Sequence, residues 1–373
     1  MNGARARGVF GVLAFAGLLL GVRGFTQAKA EHGASVPTVE LWIAATPHVD
    51  FATSSELRFV RHGEDLEVEQ RWATIHHAPN APIRGDVLSD RKSVVIAFEP
   101  EGADPRDDFS TEVHRVDSQG SKRLAGGLYR ATRPLVAKSG RVFVERGHVG
   151  REPTSAQAAA GQLRVDALSI DSIDPLTGAL ETVVQWSGYT MHLIGEWRDA
   201  LVVYRVAPEG GDLALIRISD GSILRSIEIE PVARDFLLSD DRVAFSNHDA
   251  KVDDRWVLQA LDLHSFALAT LGEATGQSPI PFVTSNGTIG MRAEPRTRPS
   301  VKLEGAVPLL GHERPDLPLA MSADGMFTVV TTPGEFDQTE DVYALTKRRV
   351  RLTRGDERVE FIGYREGSKG VLR

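Results

Sequence analysis

The chain contains no cysteine among its 373 residues. That excludes disulfides, thiolate metal sites, a cysteine nucleophile and anchoring through a lipidated N-terminal cysteine. No run after the N-terminal segment approaches the 18 uninterrupted apolar residues that mark a membrane-spanning helix. Helical periodicity is scarce as well; only "PTSAQAAAGQ", Pro153 to Gln162, favours a helix or a flexible loop. No Gly-x-Ser-x-Gly nucleophile elbow occurs, and no His-x-His or His-Glu-x-x-His spacing. Basic charge is in deficit, with a formal net charge of −8.

What is present begins at the N-terminus. Arg5 and Arg7 precede an apolar stretch from Val9 to Val22, followed by Ala28-Lys29-Ala30. This is the order of a secretory signal, with cleavage expected after Ala30. Residues 1–30 are thus read as a cleavable signal peptide and 31–373 as a single domain. The alternative is an uncleaved anchor, but the stretch falls short of the ~20 residues a spanning helix needs. Ala6 separates the two arginines, which argues against a twin-arginine signal. The removed segment carries Arg5, Arg7, Arg23 and Lys29 and no acid, so the mature charge is −12. An acidic domain repels phosphate backbones and anionic lipid, so no nucleic-acid partner and no stable membrane insertion are expected. The compartment expected is periplasmic or extracellular, and the protein is expected to be a monomer.

The rest is short β-type runs separated by Asp, Gly, Ser, Asn and Pro, the pattern of an all-β protein. In "LALIRISDGSILRSIEIE", alternation puts Ala214, Ile216 and Ile218 on one strand face. Asp220-Gly221 then predicts a two-residue hairpin turn, because glycine accepts the positive φ required. Similar hairpins are expected around Asp174-Pro175-Leu176-Thr177-Gly178 and around His264.

Before each hairpin stands a different unit, a small polar turn followed by a strongly apolar strand. The six are "LSDRKSVVIAF", "AKSGRVFVER", "EWRDALVVYR", "LSDDRVAFS", "TSNGTIGMRA" and "MSADGMFTVV". With Arg91, Gly140, Asp199, Asp241, Gly287 and Gly325 as markers, the spacings are 49, 59, 42, 46 and 38 residues. A unit of roughly 40 to 50 residues with about four strands is a propeller blade. Each sheet has two apolar faces and buries them only by packing between neighbours. Val359 to Tyr364 at one end lacks a following hairpin, and "VELWIAA" with "ELRFVRHGEDLEVEQRW" at the other lacks a preceding strand. Joined, they make a seventh blade shared between the termini. The 343 mature residues divide into seven blades of 49; eight of 43 or six of 57 fit less well. Glu99 to Phe109 and Gly147 to Gln162 are too long for tight hairpins and are expected to project from one rim.

The stretch "MSADGMFTVVTT…DVYALTKRRVRLTRG" resembles the blade motif of the TolB-like, WD40-related propellers of bacterial exported proteins. Ser322, Asp324, Gly325, Val342, Tyr343, Leu352 and Thr353 stand at the motif positions, with Ala323 in place of a proline. The other blades keep only Ser239-Asp240 or Ser285-Asn286 at the turn. The resemblance implies a periplasmic scaffold that binds a partner, and no shared chemistry.

Residue patterns for chemistry are weak. His76-His77, His48, His62, His148, His192 and His312 are scattered, which reads as surface or strand-capping histidine. Asp249, Asp253 and Asp254, and Asp104, Asp107 and Asp108, lack the calcium-loop spacing and read as solvated loops. Lys347, Arg348, Arg349, Arg351 and Arg354 read as an outer strand whose charges discourage edge-to-edge association. Asn286-Gly287-Thr288 is formally a glycosylation sequon but belongs to a tight turn. No catalytic, cofactor or metal residue is assigned. The first expectation is a non-enzymatic propeller binding an envelope protein, peptide or glycan. The second is a propeller hydrolase or lyase whose active residues converge from several blades at the axis.

Overall fold

The computed structural model describes residues 39–62, 67–90, 92–104, 109–128, 133–148, 167–207, 210–230, 232–249, 252, 255–275, 279–283, 289–292, 317–321, 328–333, 340–345, 349–351 and 357–366. Residues 1–38, residues 153–162, and Ser285 and Ser322 with the turns expected at them lie outside this set. All regular structure among the described residues is β, arranged as seven antiparallel sheets.

Sheet one joins the two ends of the chain, in the order Glu357–Glu366, Val39–Pro47, Ser54–His62, Glu67–His76. Sheet two runs Arg84–Val87, Ser93–Phe98, Thr111–Asp117, Gly120–Leu128, and sheet three Leu135–Val136, Val142–His148, Ala167–Ile173, Leu180–Ser187. Sheet four holds Thr190–Trp197, Ala200–Ala207, Gly210–Arg217, Ile223–Ile229, and sheet five Ala233–Ser239, Arg242–His248, Arg255–Asp262, Leu268–Thr275. Ile280–Val283 and Ile289–Arg292 form sheet six. Leu317–Met321, Thr328–Pro333, Glu340–Leu345 and Arg349–Arg351 form sheet seven. Among the described residues, first strands meet between sheets one and two, two and three, four and five, five and six, and seven and one. Sheet one touches both sheet two and sheet seven, so the ring closes through the shared sheet and the fold is a β-propeller. Val39 pairs with Glu366, Leu41 with Tyr364 and Ala45 with Val359, the junction expected from the two unpaired chain ends. Seven sheets are consistent with the seven-blade count.

Sheets one to five carry apolar side chains on both faces, and the alternation of side chains along a strand divides their core into wedges. Leu201, Val203, Ala214 and Ile216, with Ile218, pack toward sheet three around Phe143 and Ile170. The intervening Ala200, Val202, Tyr204, Leu213 and Leu215 pack toward sheet five around Phe245. A similar wedge between sheets one and two gathers Trp42, Leu57, Phe59, Ile96 and Ile362.

In sheets three, four and five the hairpins between third and fourth strands share one geometry in different letters. In sheet three Asp174 N–H donates to Ala179 O and Gly178 N–H to Asp174 O. In sheet four the same two bonds join Arg217 to Ser222 and Gly221 to Arg217, and in sheet five Asp262 to Ala267 and Phe266 to Asp262. The fourth loop residue is left-handed each time: Gly178 at φ 81°, Gly221 at 68° and Phe266 at 61°. The two-residue turn expected at Asp220-Gly221 is therefore a four-residue loop. Ile218 enters the core wedge and its N–H donates to Asp199 O, so it belongs to the loop rather than the ladder. Aspartates tie these loops: Asp174 accepts from Leu176 and Thr177, Asp220 from Ser222, and Asp262 from His264 and Ser265.

A buried ionic latch joins the two ends of the chain in sheet one. Arg58 on Ser54–His62 reaches across Val39–Pro47 to Glu357, donating to both carboxylate oxygens at 2.9 and 2.6 Å. It also donates to Glu56 at 2.9 and 2.7 Å. Arg58 is 3% exposed and Glu357 7%. Burial works against the guanidinium charge, but the hydrogen bonds and charges of Glu357 and Glu56 outweigh it and hold its pKa above the ordinary value.

Candidate functional site

The first strand of each sheet has no neighbour on its axial side, so some of its N–H groups need partners from elsewhere. Carboxylates from adjacent sheets supply some of them, at Val136 and Leu193, and others bind the flanking Ile83 and Lys138. Glu360 accepts from Ile83 N–H at 2.6 Å, Asp86 from Val136 N–H at 3.0 Å, and Glu196 from Lys138 N–H at 2.5 Å. Glu145 accepts from Leu193 N–H at 2.6 Å. Arg133 binds the carbonyls of Gly85 at 3.1 Å and Ile362 at 3.4 Å, bridging sheets two and one. These contacts account structurally for most axial carboxylates.

Glu145 has more around it. Strand Val142–His148 reads V-F-V-E, and period two puts Glu145 on the face of Phe143, toward sheet four. Its side chain is 14% exposed, and Nδ1 of His192 stands 3.7 Å from its carboxylate. Burial pushes the Glu145 carboxyl up to about 7, only partly offset by the Leu193 N–H and the charge of Arg84. His192 is 59% exposed, yet the protein mass around it, and then the charge of Arg84, hold its imidazole below the ordinary value. Both groups are driven toward their neutral forms, so near neutral pH they make no full ion pair.

The strands carrying this group are irregular. Ladder pairing shifts at Leu193/Gly195, at Arg234/Leu237 and opposite Ile362. Asp235 lies inside the second of these at φ 58°. Bulges re-aim side chains at barrel and sheet rims, and Phe236, next in the chain, turns its ring to 5.7 Å from His192. Glu145 and His192, with Arg84 acting on both, thus form one group from three sheets, while Asp235 and Glu360 stand near the starts of the first strands of two others.

The other expected residues are placed differently. His77 is fully buried, its Nε2 bonded to Ser55 Oγ at 2.8 Å and its Nδ1 to Ala78 O; Thr46 continues the chain to Ser55 at 2.6 Å. This Ser–His pair has no access to substrate and links strand ends of sheet one. His76 is exposed, 3.7 Å from Glu101; His148 bonds Ser169 at 2.7 Å; His48 is exposed in a turn. His62 ends a strand, and His312 lies outside the described residues. Asp249 pairs with Arg255 at 3.2 Å, an ion pair and not a cation ligand. Arg349 and Arg351 lie on the outermost strand of sheet seven, as expected. Asp107, Asp108, Asp253, Asp254, Lys347, Arg348, Arg354 and Asn286-Gly287-Thr288 fall outside the described residues. Among the described residues no three of His, Asp or Glu stand close enough to share a metal ion. Sequence reasoning missed Glu145, although a lone acid in phase with core positions of an apolar strand was visible.

No family model matches the chain, and no curated protein sequence matches it. Solved structures do. An oligogalacturonate lyase in complex with manganese superposes with a TM-score of 0.52 at 7% identity, over 84% of this chain and 94% of that one. The periplasmic gluconolactonase of Pseudomonas aeruginosa gives 0.50 at 11% identity, over 87% and 99%. TolB from Acinetobacter baumannii gives 0.47 at 9% identity, over 96% and 74%. At such identities the first two likenesses are those of fold, and the fold is the propeller.

Proposed function

We propose that the protein is exported and acts in the cell envelope as a non-enzymatic propeller that binds a protein, peptide or glycan partner at its axial mouth. The observation that carries this is the dispersal of polar side chains on and beside the innermost strands. Arg84, Glu145, His192, Asp235 and Glu360 come one from each of five sheets, which suits contact with an extended partner surface. The signal-like N-terminus supports export to the periplasm or beyond.

A second reading rests on the Glu145–His192 pair. An acid raised to about 7 beside an imidazole lowered below its ordinary value suits general acid–base chemistry. The fold hosts enzymes elsewhere, a lyase and a gluconolactonase among them.

One experiment separates the two. The mature protein and its Arg84→Glu and Glu145→Gln variants are used as bait in envelope extracts and assayed on panels of polysaccharides, esters and lactones. The binding reading expects one reproducible partner, lost in Arg84→Glu, and no turnover. Turnover abolished in Glu145→Gln, with no partner captured, would establish the enzyme instead.

A further inference from the structure

A groove of about 660 Å³ opens between sheets two and three, on the rim that carries the turns between first and second strands and the hairpins between third and fourth strands. Gly140, at φ 85°, lets the two sheets approach there: an added Cβ would stand 3.0 Å from Ser89 Oγ. The hairpin at Asp174 supplies a further wall and is fastened to sheet two by Lys122 Nζ, which donates to Leu176 O at 2.7 Å. Two guanidinium groups line the groove. Arg115 donates through Nη2 to Asp90 at 3.1 Å, and Arg141 through Nε to Ser172 at 2.8 Å and Nη2 to Glu181 at 3.2 Å. Among the described residues Nη1 of neither has a hydrogen-bond partner, and neither Nη1 is closed to solvent. The carboxylates beside them are engaged elsewhere. Asp90 also accepts from the N–H groups of Lys92 and Ser93 and from Ser93 Oγ, and Asp174 from Leu176 and Thr177. Glu181 is 79% exposed, so water screens its charge and its side chain moves aside at little cost.

Next to these donors the wall is apolar and open to water: Leu176 is 67% exposed and Leu180 38%. Ser89 and Ser139 add two exposed hydroxyls. The corresponding place between sheets four and five is filled instead. Trp197 Nε1 donates to Asp241 at 2.8 Å, the ring of His264 stands edge-on 5.3 Å away, and the Arg198 guanidinium covers the indole at 4.5 Å. Trp197 precedes Asp199 by two residues, as Ser89 precedes Arg91 in the matching turn. A serine thus leaves open in one seam what a tryptophan closes in the other.

We propose that this groove captures the C-terminal end of a peptide chain, its carboxylate held by Nη1 of Arg115 and of Arg141 and its last, aliphatic side chain laid against Leu176 and Leu180. A terminal residue carries a carboxylate and an aliphatic group on one Cα, which matches anion donors set beside an apolar wall. An internal Asp or Glu offers the first without the second. A fatty acid offers both, but its chain would cover Ser89 and Ser139 without bonding them, whereas peptide N–H and C=O groups bond hydroxyls. The groove shares no residue with the Arg84, Glu145 and His192 group and does not rest on the reading given for it.

The test is fluorescence anisotropy at about 150 mM salt with a labelled Gly-Ser-Gly-Ser-Ala-Leu peptide, its C-terminal amide, and decanoate as a competitor. The acid peptide is expected to bind, and the amide to bind roughly tenfold more weakly, the worth of a charge-assisted hydrogen bond. Ser89→Trp, on an exposed position, leaves the net charge unchanged and is expected to weaken the acid peptide by about tenfold or more by filling the groove. Arg115→Gln and Arg141→Gln are each expected to weaken it by a similar factor, whereas Arg198→Gln, the same charge change at the closed seam, stays within about twofold. Glu181→Gln is expected to tighten binding, which a folding defect cannot do. No binding of the acid peptide up to about 1 mM, equal affinity for acid and amide, unchanged affinity in Ser89→Trp, equal loss in Arg198→Gln, weaker binding in Glu181→Gln, or decanoate bound more tightly than the peptide would each overturn the proposal.

Discussion

Replacing Glu357 by Gln tests whether the ring is held shut by charge as well as by packing. Arg58 would keep its hydrogen bonds to Glu56 but face a neutral amide where it now has a two-oxygen carboxylate. Removing one partner of a buried pair typically costs about 3–5 kcal/mol, because the other charge is left uncompensated. Glu56 is 31% exposed and retains part of the compensation, so the expected loss is smaller, about 2–3 kcal/mol. The double variant Arg58→Met/Glu357→Leu removes both charges and should recover to within about 1 kcal/mol of the parent, since well-packed apolar residues replace buried pairs at little cost. Urea unfolding followed by tryptophan fluorescence reports on it, since two of the five tryptophans belong to this sheet. Trp42 and Trp72 lie in it, with ring centres 5.7 Å apart around Phe59. If Glu357→Gln unfolds within about 0.5 kcal/mol of the parent, or the double variant is weaker than either single one, the latch contributes nothing specific and the reasoning fails.

Two further outcomes follow from particular groups. The Glu145 carboxyl is raised from 4.5 to about 7 in the folded protein, so folding binds its proton more tightly than the unfolded chain does. Its contribution to stability is complete below pH 4.5 and is lost as pH rises toward 7, a total of up to about 3 kcal/mol. Glu145→Gln should flatten that slope and match or exceed the parent above pH 7; parallel urea midpoints from pH 4.5 to 8 would count against it. Gly221 and Gly188 both have positive φ, 68° and 78°. An added Cβ at Gly221 would meet Val183 O at 2.2 Å, while at Gly188 it would meet nothing within 4 Å. Gly188→Ala should therefore cost about 1 kcal/mol and Gly221→Ala at least twice that, since only the second must also displace the neighbouring sheet. Equal losses would mean that the close approach between sheets is not tight.

How much was legible divides along the chain by distance. The two-faced burial of Leu213 to Ile216 follows from alternation alone, and the packing confirms it residue by residue. The loops were legible as turns from Asp and Gly. Their length was not, because Ile218 leaves the ladder to fill a wedge supplied by another sheet. Phe266 hides the third copy of the loop, since a phenylalanine gives no sign of left-handed backbone. Glu145 announces itself by phase, yet its partners Leu193 and His192 lie 48 and 47 positions on. No local pattern connects residues that only the packing of sheets brings together, and the 299-residue separation of Arg58 and Glu357 is the extreme case.

That separation sets a timetable. A ribosome releases Val39–Pro47 among the first strands and Glu357–Glu366 among the last, so the inner border of sheet one stays bare for nearly the whole of synthesis. Through that interval Val39–Pro47 presents free backbone donors and acceptors beside Leu41, Trp42 and Ile43, a template on which a stray strand from another chain could settle. The last ten described residues therefore serve as the molecule's own gatekeeper: until they arrive, every other sheet can be folded and the newborn protein is still open to its neighbours.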